Sequence, residues 1–162
     1  MPFVSATTTE ADPLMLFVAA MNAEATRLRM GNTLFSNPHG LSEKSHLTTV
    51  SDLAILARAA QGSELFRNYT VTRQRGTVVS GPGGYTRNVL WKNTNELLAT
   101  EGYDGIKTGT TDQAGACLVS TAERDGKRLI VVVLGSAASE SRYTDSRNLY
   151  RWGWRHLAAT VE

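Results

Sequence analysis

Six consecutive apolar residues, Leu129-Ile130-Val131-Val132-Val133-Leu134, constrain the fold more than any other segment of the chain. A strand with one wet face alternates apolar and polar residues, so a run that is apolar at every position needs cover on both faces. This predicts a central strand over 128–134. The strong turn signal Asp125-Gly126 joins it to a preceding strand over 116–123, and 105–111 reads as a third. Upstream, 69–79 and 85–91 carry β-branched and aromatic residues on either side of Gly81-Pro82-Gly83-Gly84, the pattern of a hairpin.

Helices surround these strands. Asp12-Pro13 reads as an N-cap and first helical residue, and Phe17, Met21, Ala25 and Leu28 recur at helical spacing until Gly31. Thr49, with Asp52 at the capping-box position, opens a second helix that runs to Gly62, after which 63–66 forms a short turn of helix. Residues 139–159 return to helix, with Leu149, Trp152 and Trp154 expected against the sheet. The expected class is α/β of the α+β kind, a mainly antiparallel sheet flanked by helices. All 162 residues read as one domain, with 1–11 as a disordered lead-in.

Composition excludes several function classes. A net charge of +2, with the basic residues scattered, does not suit a nucleic-acid partner. His39, His46 and His156 lack metal-ligand spacing, so no metal and no cofactor are expected. The one cysteine, Cys117, is expected to be a small buried strand residue rather than a nucleophile. The longest apolar run, 14–21, is too short for a bilayer and follows Glu10 and Asp12, so it is not read as a signal peptide.

The chemistry-bearing motif is Lys107-Thr108-Gly109 within the strand 105–111. Acyl transfer needs a nucleophile, a base, donors for an oxyanion and a grip on the substrate carboxylate. An ammonium at Lys107 favours negative charge, a Thr108 hydroxyl can bond a carboxylate, and the bare Cα of Gly109 lets a substrate backbone lie along the strand. The next amide, at Thr110, is the expected oxyanion donor. A surface lysine beside a turn glycine is the competing reading of the triplet alone.

The setting of the triplet resembles one family. Phe17 to Asn22, Gly31-Asn32-Thr33, Phe35, Asn37-Pro38-His39-Gly40-Leu41, Asn93-Thr94-Asn95-Glu96-Leu97-Leu98 and the stretch 105–115 occur in the order found in D-alanyl-D-alanine carboxypeptidases, the low-molecular-mass penicillin-binding proteins. The resemblance implies a penicillin-binding-protein and β-lactamase-like fold, an extracytoplasmic or periplasmic setting, and hydrolysis of peptidoglycan stem peptides through an acyl-serine, with β-lactams as ligands. It also implies that Lys107, Thr108 and Gly109 line a cleft, that Thr110 offers its amide, and that Arg87 helps to hold the substrate carboxylate; an exposed strand arginine is the other reading of Arg87.

The chain also departs from the family. No Ser-x-x-Lys occurs, and Ser146-Arg147-Asn148, which has the letters of Ser-x-Asn, lies downstream of Lys107 and reads as a solvated helix face. The expectation is a domain truncated on its N-terminal side and inactive alone. Its partner would then be a complementing N-terminal segment, a second copy or an exchanged element. Two alternatives stay open: a non-catalytic peptidoglycan-binding module, and a remodelled ester or β-lactam hydrolase using Ser80 or Ser120.

Overall fold

The structure is a computed structural model in which residues 12–159 are described. The lead-in expected over 1–11 lies outside them. Helix α1 spans Pro13–Arg27, capped by the Asp12 carboxylate, which accepts the Leu14 amide at 2.9 Å. It ends before Gly31 because Leu28 caps it and Arg29 turns into the left-handed region at φ 62°. Only Val18 and Ala25 of this helix are buried, and Phe17 is exposed.

Helix α2 (Val50–Ala60) begins as expected, with the Thr49 hydroxyl accepting the Asp52 amide. The buried Asp52 carboxylate in turn accepts the Asn32 amide at 2.9 Å and the Thr33 hydroxyl at 2.7 Å. One helix start therefore anchors the loop that leaves α1. Helix α3 (Glu64–Val71) is longer than the sequence suggested and takes in Tyr69 and Val71, which were expected in a strand. Strand propensity is a weak prior, and here the Ser63 cap and the packing of Thr70 on Gly105 outweigh it.

The hairpin follows as β1 (Gln74–Ser80) and β2 (Thr86–Lys92), paired from Gln74↔Lys92 to Ser80↔Thr86. It forms a two-stranded sheet of its own, and Val89 is its one half-buried residue. A 3-10 turn, Glu96–Ala99, then buries Leu97 and Leu98. The main sheet is a meander of β3 (Tyr103–Thr111), β4 (Gly115–Arg124) and β5 (Lys127–Ser136), antiparallel throughout in the order β3-β4-β5. Helix α4 (Ser139–Ala159) closes the chain.

The apolar run lies in β5, which among the described strands is an outer one of the three rather than the central one. Its composition reports cover on its faces, since α4 and α2 both pack against it, and carries no information about lateral neighbours. The core lies between the sheet and α4. Leu118 and Ser120 on β4 and Tyr143 and Tyr150 on α4 are all at most 1% exposed. The tyrosines, seven residues apart on one helix face, take the place expected for Leu149 and Trp152, which are exposed; Trp154 is half-buried. Ser146, expected on a solvated face, is fully buried on that same helix face.

Candidate functional site

Pleating divides the triplet between two faces of β3. Cross-strand partners share a face, so the pairs Thr108↔Leu118 and Thr110↔Ala116 look toward α4, whereas Lys107↔Val119 and Gly109↔Cys117 look toward α2 and α3. The structure thus holds Lys107, Thr108, Gly109 and Thr110 together on one edge strand, with the ammonium and the hydroxyls on opposite sides.

On the α4 side, Thr108 is 8% exposed, and its hydroxyl shares a 2.6 Å hydrogen bond with the Thr94 hydroxyl. A ligand carboxylate reaching Thr108 would have to compete with Thr94. Beyond it stands Arg142 on the first turn of α4, itself 8% exposed. Its guanidinium donates to the Thr110 hydroxyl at 2.9 Å, to the Gly109 carbonyl at 3.3 Å and to the Tyr143 hydroxyl at 3.3 Å. The Tyr143 hydroxyl donates on to the Thr94 carbonyl at 2.9 Å, and the Arg142 guanidinium carbon lies 5.0 Å from the Tyr143 ring centroid. The Arg142 Nε is buried without a partner, and no carboxylate among the described residues pairs with this guanidinium. A nearly buried cation without a counter-ion is costly, and an arriving anion would relieve that cost.

Sequence reasoning did not single out Arg142. It lies more than thirty residues beyond the triplet, in a polar segment that reads only as a helix start, so its place emerges when the meander folds back and α4 crosses the end of β3. Arg87, the arginine expected to help hold the carboxylate, stands instead near the tip of the exposed hairpin, opposite Val79 in a separate sheet. The reading of Arg87 as an exposed strand residue is the one its position matches.

On the other side, Lys107 donates its ammonium to the Thr108 carbonyl and lines a cavity of about 530 Å³. The walls are mostly apolar, with Leu53 and Leu56 from α2, Phe66 from α3, and Val119 and Leu134 from the sheet. Cys117 also opens onto this cavity and is half-buried, so it is less enclosed than its apolar flanks suggested. A Cβ built on Gly109 would meet nothing within 4 Å, whereas one on Gly105, at φ +150°, would come within 2.9 Å of the Thr70 hydroxyl. Internal packing demands glycine at 105 and leaves open space at 109.

Asparagines fix the loops around this strand. Asn22 exchanges two 2.8 Å bonds with the Phe35 backbone, and buried Asn37 ties Leu41, Glu43 and Gly40 into one turn. That loop meets the end of β3 through a 2.6 Å bond between the Ser42 and Thr111 hydroxyls. Asn95 caps the 3-10 turn through its carbonyl oxygen and donates its amide to the Gly105 carbonyl at 2.9 Å. Several residues that carried the resemblance are therefore the ones that position β3.

No serine hydroxyl among the described residues hydrogen-bonds a lysine amine. Ser120 is fully buried and accepts the Tyr150 hydroxyl at 3.0 Å; burial pushes the Tyr150 phenol well above its usual range, with the Ser120 bond opposing. Ser80 lies on the exposed hairpin. Among the described residues no group of His, Cys, Asp and Glu could hold a metal.

The sequence profile of the family described as D-alanyl-D-alanine carboxypeptidase matches residues 11–138. The chain belongs to that family. It is similar to the carboxypeptidase DacF of Bacillus subtilis, 37% identical over 78% of this chain and 32% of the relative, and to DacC of Escherichia coli, 33% identical over 86% and 33%. Among solved structures it is similar to the Streptomyces K15 DD-transpeptidase, with TM-score 0.82, 33% identity and coverage of 86% of this chain and 54% of that one. The penicillin-binding-protein fold, with its antiparallel sheet and flanking helices, is thus that of the family. The chain spans about a third of the length of these two curated relatives.

Proposed function

We propose that this chain is the substrate-gripping part of a serine-type D-alanyl-D-alanine carboxypeptidase, acting on peptidoglycan stem peptides outside the cytoplasm. The attacking serine and its lysine would come from polypeptide outside this sequence. The observation that carries this reading is Arg142: an almost buried guanidinium without a counter-ion, held against Gly109 and Thr110, where a peptide laid along the edge of β3 would bring its terminal carboxylate. The open space at Gly109 admits that peptide backbone, and the ammonium of Lys107 adds positive potential from the other face. Thr110 is the proposed oxyanion donor through its amide. Thr108 supports the grip once its bond to Thr94 yields.

The apolar cavity beside Lys107 would receive the complementing segment, which explains why its walls are hydrocarbon while its rim carries a cation. Without that segment the chain binds and does not acylate. A purely binding module shares the same grip and differs only in never meeting a nucleophile. The ester-hydrolase alternative finds no support, because Ser120 is sealed under Tyr150 and Ser80 stands on the hairpin without a base bonded to it.

The test is a titration of the chain with an N-acetylated peptide ending in D-Ala-D-Ala, followed by NMR, together with an assay for released D-alanine. Saturable binding that weakens about tenfold or more in Arg142→Gln, without release of D-alanine, is expected. Binding that ignores both Arg142→Gln and Lys107→Ala would remove the proposed grip.

A further inference from the structure

A second cavity, of about 500 Å³, lies at the opposite end of β3, between the loop entering that strand and the C-terminal half of α4. Its aromatic lining is Tyr103, Tyr150 and Trp154, with the two tyrosine rings edge-to-face at 5.1 Å. Four arginines surround it. Arg147, Arg151 and Arg155 follow one another at four-residue spacing and so share one face of α4, while Arg124 comes from the end of β4 with its guanidinium carbon 5.8 Å from the Trp154 ring centroid. None of the four forms an ion pair among the described residues. Two carboxylates also line the cavity, Glu101 and Glu123, and Arg128 already holds Glu123 at 2.6 Å.

We propose that this cavity is a second binding site, separate from the Lys107 strand, for a small ligand that joins oxyanion groups to a flat or ring-shaped body. Guanidinium groups match phosphate and carboxylate oxygens with two parallel donors each, and four converging on one cavity can hold at least two such groups. The part-exposed rings of Tyr103 and Trp154 have no such use for a bare inorganic anion; they reward a ligand with a ring to stack, over the sealed Tyr150. The volume suits a small molecule of this kind. Along α4, Arg151 lies nine residues from Arg142, about 13 Å at helical rise, so one small ligand does not fill both sites.

The experiment uses the 162-residue chain and three probes, inorganic phosphate, phenyl phosphate and phthalate, with the Trp154 indole followed by NMR. Phenyl phosphate or phthalate is expected to saturate and to shift that resonance, binding about tenfold or more tighter than inorganic phosphate; whichever of the two binds more tightly identifies the preferred oxyanion. The double variant Arg151→Gln/Arg155→Gln, on exposed positions, should weaken binding by about a hundredfold, near tenfold for each guanidinium. Arg75→Gln/Arg87→Gln, both on the hairpin strands, should leave it unchanged, which separates a built site from general attraction to a basic surface. The proposal is overturned if neither ring-bearing probe saturates, if the double variant on α4 binds equally well, or if the hairpin variant weakens binding as much.

Discussion

The two faces of the β3-β4-β5 sheet are built differently. Toward α4, Leu118, Ser120, Tyr143 and Tyr150 are sealed, and their polar atoms are engaged: Tyr150 with Ser120, Tyr143 with Thr94. Toward α2 and α3, the neighbouring positions Lys107, Cys117 and Val119 line an open cavity. A face that is finished by its own chain stores stability, and a face left open beside a cation is available to something else. The motif strand separates them, so a single edge strand is fixed from one side and accessible from the other.

This contrast is most directly broken by mutation of adjacent β4 residues. Leu118→Ala, on the sealed face, should cost about 2–5 kcal/mol, and Val119→Ala, on the open face, about 1 kcal/mol or less, read from denaturant midpoints at constant slope. Equal costs would mean that the cavity is closed in solution. Next in size is the glycine pair on β3. Gly105→Ala meets Thr70 at positive φ and should destabilise by more than 1 kcal/mol or so. Gly109→Ala should leave stability within about 0.5 kcal/mol while weakening binding of a D-Ala-D-Ala peptide. Loss of stability at Gly109 comparable with that at Gly105 would show that the open space there is not real.

A smaller effect is expected from pH on the sealed face. Burial raises the phenol of Tyr150 in the folded state, so folding keeps the proton that the unfolded chain releases near its ordinary value of about 10. This contribution is whole below pH about 10 and declines as the pH rises toward the folded value. The alkaline loss should therefore be shallower in Tyr150→Phe than in the parent chain, and identical curves would mean that the phenol reaches water.

Much of this architecture was legible locally. The Asp12 and Thr49 caps, the Asp125-Gly126 turn and the Gly-rich hairpin each depend on chemistry within a few residues, and the strands of the meander fall within three residues of their expected bounds. What failed was set by distant packing. The strand expected from Tyr69 is helix because Thr70 seats on Gly105, and β5, expected at the centre, is an outer strand among those described, since hydropathy reports cover and not lateral pairing. The site divides in the same way. Lys107 to Thr110 were visible as a motif, but Thr94 beneath Thr108 and Arg142 beside Thr110 become neighbours only in three dimensions.

The central claim is that the chain grips a substrate without carrying the oxygen that attacks it. Intact-mass measurement after incubation with benzylpenicillin tests this most directly. An unchanged mass is expected for the 162-residue chain alone, whereas a stable covalent adduct mapped to one of its own serines would contradict the account.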